Sequence, residues 1–219
     1  LEPGPGWDYK AFLEYVTQNP GATGAEIGRE IVDTYVLKST KHDSTYPVTL
    51  SVIDLSRSQA LIAATSDFAT ELSRYAGTVA GWKQIALARL GALDWDTSAI
   101  FGMTTDLVDL GGFVTRVVAN VHTTIATDPE LTRTGDSLRA AIDAAVVYSS
   151  GSGSDEQATG LTVYFPSILW AFVTEDGAVS RTYATNTKVD GQPFFSVAYT
   201  DGTTGLVRKY FDFYTASKA

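Results

Sequence analysis

Apolar residues recur at helical spacing along much of the chain, and helix-capping residues stand where several of these stretches begin. Asp8 is placed to cap a helix over residues 9–18, and the Asn-Pro-Gly sequence at 19–21 ends it. Thr23 and Glu26 have the spacing of a capping box, which predicts the start of a second helix. This second helix is predicted over about 24–40. A second capping box, at Ser56 and Gln59, predicts a helix that runs to about Tyr75. Three further helices are predicted over 82–93, over 106–126 and from Pro129 to about Ala145.

Two short runs rich in β-branched residues interrupt the helical pattern. Residues 47–53 and 160–166 predict buried strands, and 146–148 predict the start of another strand. Two buried strands are too few to make a sheet. The remaining strands must therefore come from the C-terminal part of the chain or from another polypeptide.

The character of the chain changes after the strand at 160–166. Residues 168–200 alternate aromatic and β-branched residues with Asp-Gly turns, which is typical of hairpins, and about 205–217 could form a closing helix. The pattern as a whole predicts an α/β fold with a hairpin-rich C-terminal extension. We therefore divide the chain into a domain over 1–166 and a tail over 167–219.

Composition narrows the classes of partner. Hydrophobic residues make up 44% of the 219 residues, which is enough for a packed core, and no apolar run is long enough to cross a bilayer. The net charge is −9 and no basic stripe exists, so neither a nucleic acid nor a membrane is an expected partner. The absence of cysteine removes disulfides and thiol nucleophiles together. It also makes a secreted or cell-envelope location as compatible with the sequence as a cytosolic one.

The two histidines are weak candidates for nucleophilic catalysis. His42 lies in a polar stretch, and His122 lies beside the apolar stripe of the predicted helix over 106–126. A Ser–His–Asp triad with either histidine is conceivable, but no Gly-x-Ser-x-Gly sequence is present to expose a serine. We expect both histidines to be structural or exposed to solvent, so no residue is assigned a catalytic role.

Acidic residues offer two further possibilities. Asp94 and Asp96 form one pair, and Asp106 and Asp109 would share a helix face, where first-turn acids ordinarily complement the helix dipole. The acidic stretch 154–157 could bind calcium, but it lacks the ligand spacing of an EF-hand. We expect a polar surface loop there and predict no metal site.

Five short blocks, which follow one another in a fixed order across residues 2–166, together resemble the clostripain family of cysteine peptidases, in the clan of caspases, legumains and gingipains. The blocks are Glu2–Tyr9, with its Pro-Gly-x-Gly-Trp core, Asn19–Tyr35, Thr49–Ser56, Asp106–Leu110 and Gly160–Pro166.

The resemblance implies a caspase-like mixed sheet flanked by helices. In that family the catalytic histidine and cysteine lie upstream of the Pro-Gly-x-Gly-Trp block. The resemblance therefore implies that this chain is the C-terminal half of a peptidase domain, inactive alone, with the N-terminal catalytic half of the same protein as its partner. The alternative is a peptidase-derived module that binds a protein or peptide without cleaving it.

The resemblance also implies a substrate and a binding site. The family cleaves peptides and proteins, commonly after Arg or Lys, with the help of acids near the Pro-Gly-x-Gly-Trp block. Pro5 stands where many members carry an acid, which leaves Glu2 and Asp8 as the substrate-binding candidates. No cofactor is expected, although calcium dependence is known in the family.

Overall fold

The computed structural model describes residues 6–45, 47–76, 78–94 and 107–165. These residues form two compact units. The first contains the described residues of Leu1–Ser56 together with Ile142–Leu161, and the second those of Arg57–Ala141 and Thr162–Ala219. The helices are α1 (Tyr9–Gln18), α2 (Gly24–His42), α3 (Ser58–Ala76), α4 (Val79–Gly91), α5 (Leu110–Thr124) and α6 (Pro129–Ala145), with short 3-10 helices at Leu55–Arg57 and Gly153–Gln157. The strands are β1 (Thr49–Ile53), β2 (Leu107–Asp109), β3 (Val146–Gly151) and β4 (Thr162–Tyr164).

In the first unit, α2 packs against an antiparallel pair formed by β1 and β3. The capping box is present at the start of α2, because Thr23 and Glu26 each accept a hydrogen bond from the other's backbone N–H. Gly28 allows the helix to approach β1 closely, since a Cβ atom there would lie 2.8 Å from a methyl carbon of Val52. On β3, the Tyr148 hydroxyl donates to Asp33 Oδ1 of α2 at 2.6 Å.

The second unit is built around α5, which packs against α4. Five apolar side chains of α5 are fully buried: Leu110, Phe113, Val114, Val117 and Val121. Helical spacing predicts all of these except Phe113, whereas Ile125, which lies on the predicted stripe, is 41% exposed. Phe113 contacts Phe165 edge to face, with ring centroids 5.2 Å apart. Strands β2 and β4 form a second antiparallel pair beside this core.

The predicted helix over 106–126 begins too early. Residues Leu107–Asp109 form strand β2, and the helix starts at Leu110, after Asp109 caps it by accepting from the Gly112 N–H at 2.7 Å. A three-residue strand leaves little local pattern, because it depends on pairing with β4, which lies far along the chain. The prediction that Asp109 shares a helix face with Asp106 is therefore wrong.

The two strands predicted as buried do form, as Thr49–Ile53 and Thr162–Tyr164, but each pairs in a separate two-stranded sheet. The stretch 154–157, predicted as a polar surface loop, lies in a 3-10 helix with Asp155 buried, after β3 ends at Gly151. The described residues are thus a mixed helix and strand fold, mostly helical, with two small antiparallel sheets.

Some predictions fall on other parts of the chain. The hairpins over 168–200 and the closing helix at about 205–217 lie outside the described residues. The division between 1–166 and 167–219 stays a prediction. Among the helices that the structure describes, none has the length and apolar character that a bilayer span requires.

Candidate functional site

The candidate substrate-binding block begins the described chain as a short turn, Gly6–Asp8, which we name the Trp7 segment. Gly6 adopts a φ of 77°, in the region that favours glycine. Asp8 caps α1, as predicted, because its Oδ1 atom accepts from the Ala11 N–H at 3.1 Å. The Trp7 carbonyl accepts a hydrogen bond from Lys38 Nζ of α2 at 3.0 Å. The contacts of the segment thus include a local cap and a hydrogen bond that spans 31 residues.

Aromatic rings continue from this segment into α1. The ring centroids of Trp7 and Tyr9 lie 6.2 Å apart, and those of Tyr9 and Phe12 lie 5.5 Å apart. Helix α1 has no buried residue, and its Tyr9 and Leu13 side chains are 49% and 54% exposed. Helix α1 therefore presents large apolar side chains at the surface of the first unit.

The two predicted substrate-binding acids have different outcomes. Glu2 lies outside the described residues. Asp8 is half-buried, and its carboxylate forms the single capping hydrogen bond and no ion pair within the described part of the chain. The second carboxylate oxygen of Asp8 accepts no hydrogen bond from a described residue.

Lys38 is the residue of this site that the sequence reasoning missed. A usable signal existed, because Lys38 continues the stripe of Ile31 and Tyr35 on α2 at helical spacing. A lysine on an apolar stripe must direct its ammonium to an acceptor at the edge of the packed face. Which acceptor it finds depends on the fold, and here it is a carbonyl in another segment.

The histidines do not form a catalytic triad with described residues. His42 is exposed in the last turn of α2. His122 Nε2 lies 3.1 Å from the Thr132 hydroxyl and 3.4 Å from the Asp128 carbonyl oxygen. The Thr132 hydroxyl donates to that same carbonyl at 2.8 Å, so its proton is directed to a backbone acceptor.

Each predicted acid pair has one member, Asp94 or Asp109, among the described residues, and its other member, Asp96 or Asp106, lies outside them. Asp94 Oδ2 binds Nη1 of Arg89 at 2.5 Å, and the Arg89 side chain is 1% exposed while that of Asp94 is 24% exposed. Arg89 also donates through Nε to the Phe165 carbonyl at 2.5 Å. Asp109 is committed to capping α5. The two described acids therefore each have a structural partner in the second unit.

Among the described residues, no three His, Cys, Asp or Glu side chains come close enough to hold a metal ion. Asp155, from the stretch considered for calcium, is buried within its 3-10 turn, and its Oδ1 accepts from the Ser154 hydroxyl at 3.2 Å.

The sequence model of the clostripain family matches residues 1–191. The chain belongs to the clostripain family. The match includes the Trp7 segment and all the described elements, and it extends beyond the resemblance over 2–166 noted above. No significant match was found among the curated proteins or among the solved structures.

Membership of the clostripain family makes this a protein related to cysteine peptidases. Thiol catalysis requires a cysteine that can ionise, and the 219 residues contain none. The described parts of the resembling blocks lie in the Trp7 segment and α1, in α2, in β1, in β2 with the first residue of α5, and in β4.

Proposed function

We propose that this chain is the C-terminal half of a clostripain-family cysteine endopeptidase. A cysteine thiolate and an activating histidine would come from polypeptide upstream, and this chain would complete the sheet and line one wall of the substrate cleft with the Trp7 segment. The observation that carries the proposal is the family match over residues 1–191 in a sequence without cysteine.

The sheets support a partner polypeptide. Within the described residues, β1 pairs only with β3, and each of the two sheets contains two strands. A two-stranded sheet is seldom stable alone. The outer edge of β2 is bridged by Asp94 to Val108, and the outer edge of a strand can pair with a further strand. Additional strands from an upstream half would extend such sheets into the caspase-like sheet that we propose.

The surroundings of Asp8 support a basic substrate side chain. The Asp8 carboxylate is half-buried and is not neutralised by an ion pair with any described residue. A guanidinium or ammonium group could therefore bind its remaining oxygen. The net charge of −9 would further favour the approach of basic peptides. Glu2 remains the second proposed acid.

The experiment is expression of the full-length gene product with and without a thiol alkylator, using fluorogenic Arg and Lys peptides. We expect hydrolysis that the alkylator abolishes and that substitution of the upstream cysteine by alanine also abolishes. Glu71→Gln serves as the matched control. It changes an acid of the second unit that is far from the Trp7 segment in sequence, and it should leave the rate of peptide hydrolysis unchanged. Hydrolysis that persists after alkylation would contradict the proposal.

The absence of cysteine also favours a second function, a peptidase-derived module that binds a protein or peptide without cleaving it. The upstream coding sequence separates the two. A His-Gly stretch and an Asp-x-Cys stretch support the peptidase. An upstream region that lacks both supports the binding module.

A further inference from the structure

We propose that Lys38 is a positioning residue that holds the Trp7 segment in the conformation in which it lines the substrate cleft. This inference rests on the proposed function. Lys38 does not contact substrate in this proposal. It acts through the Trp7 carbonyl, which accepts its hydrogen bond at 3.0 Å.

The position of Lys38 on α2 makes it a firm anchor. Its side chain is half-buried, one turn after Tyr35, which is only 3% exposed. Packing of the aliphatic stem limits the rotamers of the side chain, so less freedom is lost when the ammonium binds the carbonyl. The bond has a charged donor and is therefore stronger than one between neutral groups.

The Trp7 segment needs such an anchor because the adjacent helix supplies little packing. Helix α1 has no buried residue, and Asp8 makes its cap within the same helix. Gly6, at a φ of 77°, gives the chain wide conformational freedom just before Trp7. Segments with few buried contacts open at low free-energy cost. A hydrogen bond to a distant helix opposes that opening.

The choice of acceptor has a consequence for charge. Lys38 binds a carbonyl and forms no ion pair with Asp8. The segment is thus fixed without neutralising the carboxylate proposed to bind a basic side chain. The same lysine paired directly with Asp8 would weaken that interaction.

The test compares Lys38→Met with wild type in the full-length protein. Met keeps most of the apolar stem and removes the donor. Lys38→Arg restores a charged donor, and Lys41→Met removes an exposed lysine from the same helix as the matched control. Two quantities are measured: hydrogen exchange of the backbone amides over 6–12, and the KM and kcat for a fluorogenic Arg peptide.

We expect Lys38→Met to speed amide exchange over 6–12 by about tenfold and to raise KM by about tenfold, the change that 1.4 kcal/mol gives. We expect kcat to change less than about twofold, because the segment binds substrate and supplies no reacting atom. Lys38→Arg should recover most of both losses, and Lys41→Met should match wild type.

Three results would overturn the inference. Unchanged exchange over 6–12 in Lys38→Met would show that the bond does not hold the segment. Faster exchange with unchanged KM would show that the segment does not position substrate. A wild-type protein that shows no thiol-dependent hydrolysis would remove the proposed function itself, and in that case the exchange measurement still reports on the bond separately.

Discussion

Asp8 and Asp128 both cap a helix, but their surroundings differ. Asp8 accepts one hydrogen bond, from Ala11, and starts α1, which buries no side chain. Asp128 accepts three, from the Tyr75 hydroxyl at 2.5 Å and from the amides of Glu130 and Leu131 at 2.8 and 3.2 Å. It starts α6, where Leu131 and Leu138 are fully buried. The comparison separates an aspartate that is committed to the fold from one that keeps capacity for a ligand.

The largest expected effect is on the free energy of unfolding, and it compares α5 of the second unit with α1 of the first. Phe113→Ala removes a ring that is fully buried and contacts Phe165, and it should lower the free energy of unfolding by about 3–5 kcal/mol. Phe12→Ala on α1 removes a half-buried ring and should cost about half as much. Denaturant titration of both variants measures the difference. Equal losses would mean that α1 contributes as much to stability as the core of the second unit.

A smaller effect is expected from the caps themselves. Asp128→Ala deletes a cap together with the Tyr75 contact and should cost about 2 kcal/mol. Asp8→Ala deletes one hydrogen bond at a half-buried helix end and should cost about 0.5–1 kcal/mol. In the full-length protein, Asp8→Ala should also affect catalysis, by raising KM for Arg peptides. A larger loss of stability from Asp8→Ala than from Asp128→Ala would invert the comparison.

The smallest effects concern pH. The hydrogen bond from Tyr75 holds the pKa of Asp128 below its usual value, so this contribution to stability is present above about pH 4 and is lost as pH falls through the lowered pKa. Burial, followed by the hydrogen bond to Asp128, raises the pKa of Tyr75 to about 12. Because the folded state then holds its proton more tightly, stability from Tyr75 is complete below pH 10 and is lost between about 10 and 12.

Tyr75→Phe tests the pH account. The variant should be less stable than wild type at neutral pH, and the gap should shrink between about pH 10 and 12. It should also shrink on acidification, as Asp128 becomes protonated. Thermal denaturation across the pH range measures the decrease in the stability difference at both acidic and alkaline pH. Thr70→Ala, at an exposed position of the same helix, is the control. A stability difference between Tyr75→Phe and wild type that does not change with pH would show that the Tyr75–Asp128 contact does not cause the pKa shifts.

The same aspartates show what local sequence can predict. Asp8 before α1, the Thr23 and Glu26 capping box, and the Asp128-Pro129 start of α6 all form as predicted, because a cap and its amide partners lie within four residues of each other. The buried stripe of α5 was also predictable, because helical periodicity alone defines it.

The features that the sequence does not predict depend on contacts between residues far apart along the chain. Strand β2 exists through pairing with β4, and the Trp7 segment is fixed by Lys38 from another helix. Arg89 resembles an exposed helical arginine in the sequence, yet it is buried, because Asp94 and the Phe165 carbonyl supply acceptors inside the second unit. A single sequence does not encode these pairings in any local pattern.

Reconstitution from two separately expressed polypeptides tests the central claim most directly. The 219-residue chain alone should not hydrolyse an Arg peptide, and adding the upstream polypeptide should produce hydrolysis that is lost when only the upstream partner has been treated with a thiol alkylator. Hydrolysis by the chain alone that survives the alkylator would show that the reacting groups lie within it, and would contradict this account.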